Sequence, residues 1–149
     1  MARILVAYDT TEGQTRKIAE YIAEHASNQG HQAIPNNIAE FKQELTERTP
    51  DGLILGASIH VGKHSQRFVE FLQDRRMWLD GLPVAFFSVS LSASGDAEQR
   101  QEARSYVAQL LDQTGWKPTT TTTIGGSLRY RRYGFLKRFL MRHLSKKTG

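Results

Sequence analysis

Two almost unbroken apolar runs constrain the fold more than any other feature of the sequence. Residues 52–57 read Gly-Leu-Ile-Leu-Gly-Ala, and residues 84–89 read Val-Ala-Phe-Phe-Ser-Val. A strand with one buried face alternates apolar and polar residues, whereas a strand covered on both faces is apolar throughout. The two runs therefore predict central strands of a parallel sheet that helices cover on both sides.

The rest of the chain alternates predicted strands with predicted helices. Further strands are expected at residues 3–8, 31–35 and 119–124, where β-favouring residues cluster. Apolar residues recur at helical spacing in four segments between them: 15–29, 38–45, a segment that contains Phe68, Phe71, Leu72 and Trp78, and 97–114. The predicted fold class is thus α/β, a doubly wound five-stranded parallel sheet with helices on both faces. At 149 residues, the chain is expected to form a single domain over 1–149.

Composition narrows the possible chemistry. The chain has no cysteine, so disulfides, thiol redox chemistry and thiolate-held metals are excluded, and any redox function needs a bound cofactor. No metal site is predicted. The apolar run at the N-terminus is too short for a signal peptide or a spanning helix, so we interpret the protein as cytoplasmic.

Charge is concentrated at the C-terminus. Eight of the 20 Lys and Arg residues lie in 129–149, which has no Asp or Glu. The rest of the chain therefore contains 12 basic and 15 acidic residues. We define residues 127–149 as the basic C-terminal segment. Such asymmetry indicates an anionic partner. Nucleic acid is the least favoured partner, because the chain has no recognisable nucleic-acid-binding module.

Three loops follow the carboxyl ends of predicted strands, where open parallel sheets bind ligands: residues 9–15, 58–64 and 90–96. The first has three threonines, a glycine and the amides of a helix start, which can hold a phosphate without a cationic side chain. Capping of the helix by Thr10 or Thr11 explains the same residues equally well. The spacing matches neither a Walker loop nor a dinucleotide fingerprint.

The first loop nevertheless resembles a known family. A strand, then Thr10-Thr11-Glu12-Gly13-Gln14-Thr15, then a helix is similar to the phosphate loop of flavodoxin-like proteins, which holds the monophosphate of FMN. Glu12 departs from the commonest form of that loop and is expected to point to solvent. Residues 56–62, 87–91 and 125–133, in that order, resemble the flavodoxin-like, quinone-dependent protoporphyrinogen oxidases of bacterial haem synthesis. The resemblance implies a flavodoxin-like sheet of order 2-1-3-4-5.

The resemblance also implies FMN-binding residues in all three loops. They are Thr10, Thr11, Glu12, Gly13, Gln14, Thr15, Ser58, Ile59, His60, Val61, Gly62, Ser90, Leu91, Ser92, Ala93 and Ser94. The second and third loops would form the two walls of the isoalloxazine site, with fewer aromatic side chains than carrier flavodoxins have. No catalytic residue is assigned. His60 and His64 are candidate acids or carboxylate partners, although loop histidines are more often only polar surface.

The basic C-terminal segment predicts a helix over residues 132–147. Leu136, Phe139, Leu140, His143 and Leu144 share one face. This face can cover the sheet beside the first helix or lie at a lipid interface, and the density of cations favours an interfacial or substrate-facing role over simple packing. Seven residues are candidates for contact with substrate or membrane: Arg129, Tyr130, Arg131, Arg132, Lys137, Arg138 and Arg142.

The function that the resemblance implies is FMN-dependent oxidation of protoporphyrinogen IX to protoporphyrin IX. The electrons would pass to a membrane quinone, menaquinone or ubiquinone, with the protein held peripherally on an anionic membrane surface at the inner face of the plasma membrane. Two alternatives stay open at this point. One is an electron-carrier flavodoxin without enzymatic activity, and the other is an FMN-dependent quinone reductase with a different electron donor.

Overall fold

Strands and helices alternate along the chain as the apolar pattern predicts. A computed structural model describes residues 2–10, 13–41, 49–125 and 134–144. The strands are β1 (Arg3–Asp9), β2 (Gln32–Asn37), β3 (Gly52–His60), β4 (Lys63–His64), β5 (Val84–Val89) and β6 (Thr120–Ile124). The helices are α1 (Gln14–Asn28), α2 (Gln66–Asp74), α3 (Arg76–Asp80), α4 (Ala97–Thr114) and α5 (Gly134–Phe139), which continues as a π-helical turn, Leu140–Leu144.

Five parallel strands form the sheet, in the order β2-β1-β3-β5-β6. The short strand β4 pairs antiparallel with the end of β3 and lies outside this path. Counted without β4, the order is 2-1-3-4-5, so the predicted fold class is confirmed. The order reverses between β1 and β3. In open α/β sheets, ligands bind at the carboxyl ends of the strands beside such a reversal.

Two apolar layers cover the sheet, which explains why its central strands are apolar on both faces. Ile54 and Phe87 point towards α1 and α5, whereas Leu55 and Phe86 point towards α2, α3 and α4. The Phe87 ring lies so close to Gly56 that a Cβ added there would come within 2.0 Å of it. Gly56 is therefore needed for this packing and not for a turn.

Two predicted segments differ from the structure. Residues 58–64, expected as a loop, form a β-hairpin, because β3 continues to His60 and pairs with β4. Residues 38–45, expected as a helix, form only a 3₁₀ turn, Ile38–Glu40, within the described part of the chain. The Asn37 side chain accepts a hydrogen bond from Ala39 N–H, and extended backbone at Phe41 ends the turn. Residues 42–48 lie outside the described residues.

The C-terminal helix packs on its own sheet beside α1. Leu136, Phe139, Leu140 and Leu144 are buried in the same cluster as Ile18. Leu144 also fits over Gly52, where an added Cβ would come within 2.8 Å of it. The expectation that this apolar face lies at a lipid interface is therefore wrong, because the sheet beside α1 needs the cover that this face provides.

Two details of the tail prediction also change. His143 is exposed and does not belong to the buried face. The described helix covers residues 134–144 of the predicted 132–147, and the remaining residues lie outside the described part of the chain. Across the described ranges, no helix is both long enough and apolar enough to cross a membrane.

Candidate functional site

A cleft of about 380 Å³ opens at the carboxyl ends of β1, β3 and β5. Residues from all three predicted loops line it: Thr10, Gln14, Thr15, Ser58, Ile59, His60, Val61, Ser90 and Leu91, together with Val89 at the end of β5. The strand order brings these loops together although about 30 to 80 residues separate them in the chain. Val89 was not expected, since its position in an apolar run predicts only core packing.

The first loop turns tightly before α1. Gly13 N–H donates to Thr10 Oγ1 at 2.8 Å, and Gly13 has a left-handed φ of 89°, which favours glycine. Gly13 also occupies the N-cap position of α1, and no side chain of the described residues caps the helix. The Thr10 hydroxyl is therefore used within the loop and is not a helix cap. Thr11 and Glu12 lie outside the described residues.

Two buried hydroxyls at the cleft have no hydrogen-bond partner among the described residues. Thr15 is fully buried and Ser90 is nearly so, and both side-chain oxygens are unsatisfied. An unsatisfied buried hydroxyl costs about 1–3 kcal/mol, so such groups are rare in folded proteins. Both residues line the cleft, and they fit a ligand that carries several hydrogen-bonding oxygens and nitrogens. A flavin phosphate with its sugar chain and pyrimidine edge is such a ligand.

A buried carboxylate ties the first loop to α2. Asp9 is 1% exposed and accepts hydrogen bonds from Ser65 Oγ at 2.6 Å and from Arg67 Nε at 2.8 Å. Arg67 also reaches the Thr10 carbonyl, at 3.4 Å. The end of β1, the first loop and the start of α2 are thereby joined beside the cleft. No local sequence pattern indicates this pair, because the two residues lie 58 positions apart.

The two candidate histidines differ in environment. His60 is exposed and lines the cleft. His64 is buried, and its Nε2 lies 2.8 Å from Ser88 Oγ. Burial lowers the pKa of His64 to about 4, against the weaker opposite effect of the Asp9 charge, so this imidazole is neutral at pH 7. His64 does not line the cleft, and its pairing with Ser88 is a core contact.

The third loop reaches the cleft with only its first residues. Ser90 and Leu91 line the cleft, whereas Ala93 is the buried residue of the 3₁₀ turn Leu91–Ser94. Ser94 Oγ donates to the Leu91 carbonyl at 3.1 Å. Neither Ser92 nor Ser94 is among the described residues that line the cleft. Ser90 and Leu91 are therefore the described residues of this loop that lie at the cleft.

The mouth of the cleft has an apolar rim. Val61 and Leu91 are 85% and 86% exposed, and they belong to the hairpin and to the third loop, respectively. Val61 also has a φ of 51°, a left-handed conformation that is strongly disfavoured for a β-branched residue. Gly62 follows it in the turn with a φ of 75°. Strained residues of this kind cluster at functional sites.

The candidate residues of the basic C-terminal segment are only partly described. Lys137, Arg138 and Arg142 are exposed on α5 and its π-helical turn. Arg129, Tyr130, Arg131 and Arg132 lie outside the described residues. Lys137, Arg138 and Arg142 do not line the cleft between the three loops.

Comparisons with known proteins agree with this arrangement. The sequence pattern of the flavodoxin domain family matches residues 5–149. The protoporphyrinogen IX dehydrogenase [quinone] of Escherichia coli strain K12 is 33% identical over 147 residues, which are 99% of this chain and 81% of that protein. The protein of the same name from Leishmania major is 30% identical over 149 residues, and the match covers 64% of its length.

Solved structures resemble the fold as well. A short-chain flavodoxin associated with a bacterial microcompartment superposes with a TM-score of 0.69 at 14% identity, over the whole of both chains. An archaeal flavodoxin has a TM-score of 0.62 at 19% identity, over 99% of both chains. Identities this low support the fold alone, whereas the family match and the curated relatives rest on sequence. The chain therefore belongs to the flavodoxin domain family, which indicates a flavin cofactor, and to the group in that family that includes the protoporphyrinogen IX dehydrogenases.

Proposed function

We propose that this protein oxidises protoporphyrinogen IX to protoporphyrin IX, a step of haem biosynthesis, with FMN as its cofactor and menaquinone or ubiquinone as the electron acceptor. The observation that carries the proposal is the cleft at the sheet reversal, with two unsatisfied buried hydroxyls inside it and an apolar rim at its mouth. The names of the curated relatives support the substrate and the class of acceptor. The reaction removes six electrons and six protons from the substrate and forms three quinols.

The residues at the cleft fit a flavin mononucleotide. Thr10, Gln14 and Thr15 would hold the phosphate at the start of α1, where backbone amides and the helix dipole favour an anion. Ser58 and Ser90 would hold the polar edge of the ring system. When bound, the flavin supplies a two-electron acceptor that a quinone can reoxidise.

The chain's own part in the reaction is binding and orientation. Val61 and Leu91 present apolar side chains that suit a planar organic reactant, and no Phe, Tyr or Trp is among the described residues that line the cleft. A carrier flavodoxin usually covers its ring with aromatic side chains, so the open apolar rim favours an enzyme over a carrier. His60 is the single ionisable side chain in the described lining, and its exposed imidazole can form hydrogen bonds at the mouth of the cleft.

Peripheral contact with an anionic membrane surface, on the cytoplasmic side, completes the proposal, because the quinone acceptor dissolves in the membrane. The apolar face of α5 is buried on the sheet, whereas Lys137, Arg138 and Arg142 are exposed. Contact through this helix is therefore electrostatic and involves no insertion of its apolar face.

Anaerobic reduction of the FMN-loaded protein tests the redox function. Protoporphyrinogen IX should bleach the flavin absorbance and yield fluorescent protoporphyrin IX, and menaquinone or ubiquinone should restore the absorbance. Reduction by a flavodoxin reductase with no response to the porphyrinogen would favour the carrier. Quinone reduction that depends on a nicotinamide donor, again with no response to the porphyrinogen, would favour an FMN-dependent quinone reductase with a different electron donor.

A further inference from the structure

A second cavity, of about 300 Å³, lies between β6 and the C-terminal helix. Four consecutive threonines, residues 119–122, form one side of it, and Arg138, Arg142 and His143 form much of the other. We call this cavity the threonine–arginine groove. No acidic residue is among the described residues that line it. Its lining is therefore made largely of hydrogen-bond donors and positive charge.

The strand side of the groove is the edge of the sheet. Within the described residues, β6 pairs only with β5, so half of its backbone N–H and C=O groups point away from the sheet. Ile124 is buried in the layer that contains α1 and α5. Side chains two residues apart in a strand share a face, so Thr120 and Thr122 also point towards α5. Both are half-buried there.

The helix side of the groove supplies two cations that have no anionic partner in the part of the chain that the structure describes. Arg138 and Arg142 are four residues apart and exposed. The ion pairs found among the described residues involve Arg16, Arg67 and Arg76, and none involves either groove arginine. Arg138 Nε donates a hydrogen bond to the Gly134 carbonyl at 3.4 Å. Two guanidinium groups that take part in none of these ion pairs and line a groove with threonine hydroxyls are suited to an oxyanion.

The groove is separate from the flavin cleft. Thr120 pairs with Ala85 and Thr122 with Phe87, whereas the cleft begins at Val89 of the same strand. Two residues of strand correspond to about 7 Å along the sheet. The two cavities share no lining residue. A ligand in the groove therefore need not contact the flavin.

We propose that the threonine–arginine groove binds a phosphate oxyanion. This chemistry is shared by inorganic phosphate and by the headgroup of an anionic phospholipid. Arg138 and Arg142 would neutralise the charge, and the hydroxyls of Thr120 and Thr122 would donate hydrogen bonds to the remaining oxygens. Only the lipid source rests on the proposed membrane contact, because the site itself does not depend on the redox function.

Three variants of the flavin-loaded 149-residue chain distinguish a specific oxyanion site from binding that depends only on positive charge. Arg138→Gln/Arg142→Gln removes the two cations, and Thr120→Val/Thr122→Val removes the two hydroxyls while keeping β-branched side chains. Arg100→Gln/Arg104→Gln is the matched control, because these exposed arginines of α4 have the same spacing and the same charge. Thermal unfolding of each protein establishes that it is folded.

Two probes distinguish the sources of the oxyanion. One is inorganic phosphate, measured by calorimetric titration, and the other is co-sedimentation with phosphatidylglycerol–phosphatidylcholine vesicles against pure phosphatidylcholine vesicles. We expect the arginine variant to lose affinity about tenfold or more for at least one probe, and the threonine variant to lose about threefold or more for the same probe. The control should bind as the wild type does.

Each outcome has a defined meaning. Loss with the vesicles identifies the headgroup as the ligand, and loss with phosphate alone identifies the free anion. Equal losses in the arginine variant and the control, or wild-type binding by the threonine variant, would overturn the proposal and leave only non-specific charge. Wild-type protein that binds neither probe would overturn it as well. Neither measurement requires turnover. A failure of the oxyanion site can therefore be distinguished from a failure of the proposed redox function.

Discussion

Removal of the Thr15 hydroxyl is expected to affect stability and ligand binding differently. Its side chain is fully buried, and its oxygen has no partner among the described residues. Thr15→Val keeps the shape and removes the hydroxyl. We therefore expect the free energy of unfolding of the flavin-free protein to be unchanged or to rise by about 1 kcal/mol, and the affinity for FMN to fall about tenfold. Urea unfolding and flavin fluorescence titration measure the two effects, and a less stable flavin-free variant would contradict the assignment.

Arg67 acts on the first loop through Asp9 and the Thr10 carbonyl. Arg67→Gln removes the cation that holds this loop, so we expect affinity for FMN to fall about tenfold while affinity for riboflavin, which has no phosphate, stays within about twofold. Arg16→Gln is a suitable control, because Arg16 is an exposed residue of α1 paired only with Glu20 among the described residues. An equal loss for both flavins would mean that Arg67 supports the whole cleft and not the phosphate loop.

His64 makes stability depend on pH. Its pKa is about 4 in the folded protein and 6.5 in the unfolded chain, so the unfolded state takes up the proton first as the pH falls. The contribution of His64 to stability is complete above pH 6.5 and is lost between pH 6.5 and pH 4, by about 3 kcal/mol. In His64→Phe/Ser88→Ala, which replaces both partners of the buried hydrogen bond, the free energy of unfolding should fall less over this range. Urea unfolding at several pH values measures this free energy for the wild type and the variant. An equal decrease in both proteins would refute the prediction.

At the scale of elements, the β3–β4 hairpin stores strain beside the cleft. Its two-residue turn has positive φ at both Val61 and Gly62, as in a type I′ turn, for which Asn-Gly is the preferred pair. Val61→Asn should therefore raise the free energy of unfolding by about 1 kcal/mol. It should also raise the KM for porphyrinogen, because it removes an exposed apolar side chain from the rim.

The matched control for the hairpin is Met77→Asn on α3. Met77 is 90% exposed and lies outside the described lining of the cleft, so this change removes an apolar side chain without relieving backbone strain. Stability and KM should both stay at the wild-type value. If Val61→Asn gains stability with no change in KM, the strain exists but the apolar rim does not contact the substrate.

At the scale of the whole molecule, the C-terminal helix completes the core. Leu136 is fully buried in the layer between the sheet and α1. Leu136→Ala should lower the free energy of unfolding by about 2–5 kcal/mol and preserve a single cooperative transition. Lys137→Ala, which alters an exposed neighbour, should change it by less than about 0.5 kcal/mol. A stable Leu136→Ala variant would mean that this helix packs on something other than its own sheet.

Prediction from the sequence succeeded where backbone periodicity is strong. The apolar run at β5 and the helical spacing of α1 and α4 predicted those elements nearly to their ends, and the run at β3 predicted its start but not its last three residues. It failed at the β3–β4 hairpin, because a two-residue strand is too short to show alternation and Val-Gly is a weak turn signal. It also predicted a lipid interface for the apolar face of α5, which packs in the core, because such a face suits a core and a lipid surface equally well.

The sequence by itself determined the α/β class, the strands and helices with strong periodicity, and the loops that can reach a ligand. The geometry of a strand or a helix repeats over a few residues, so the local pattern is sufficient to recognise it. Only the tertiary structure decided that Arg67 holds Asp9, that Ser88 accompanies His64 in the core, and that Arg138 faces the threonines of β6. The physical reason is that these contacts join residues about 20 to 60 positions apart, and strand order and helix packing bring such residues together without leaving a local pattern.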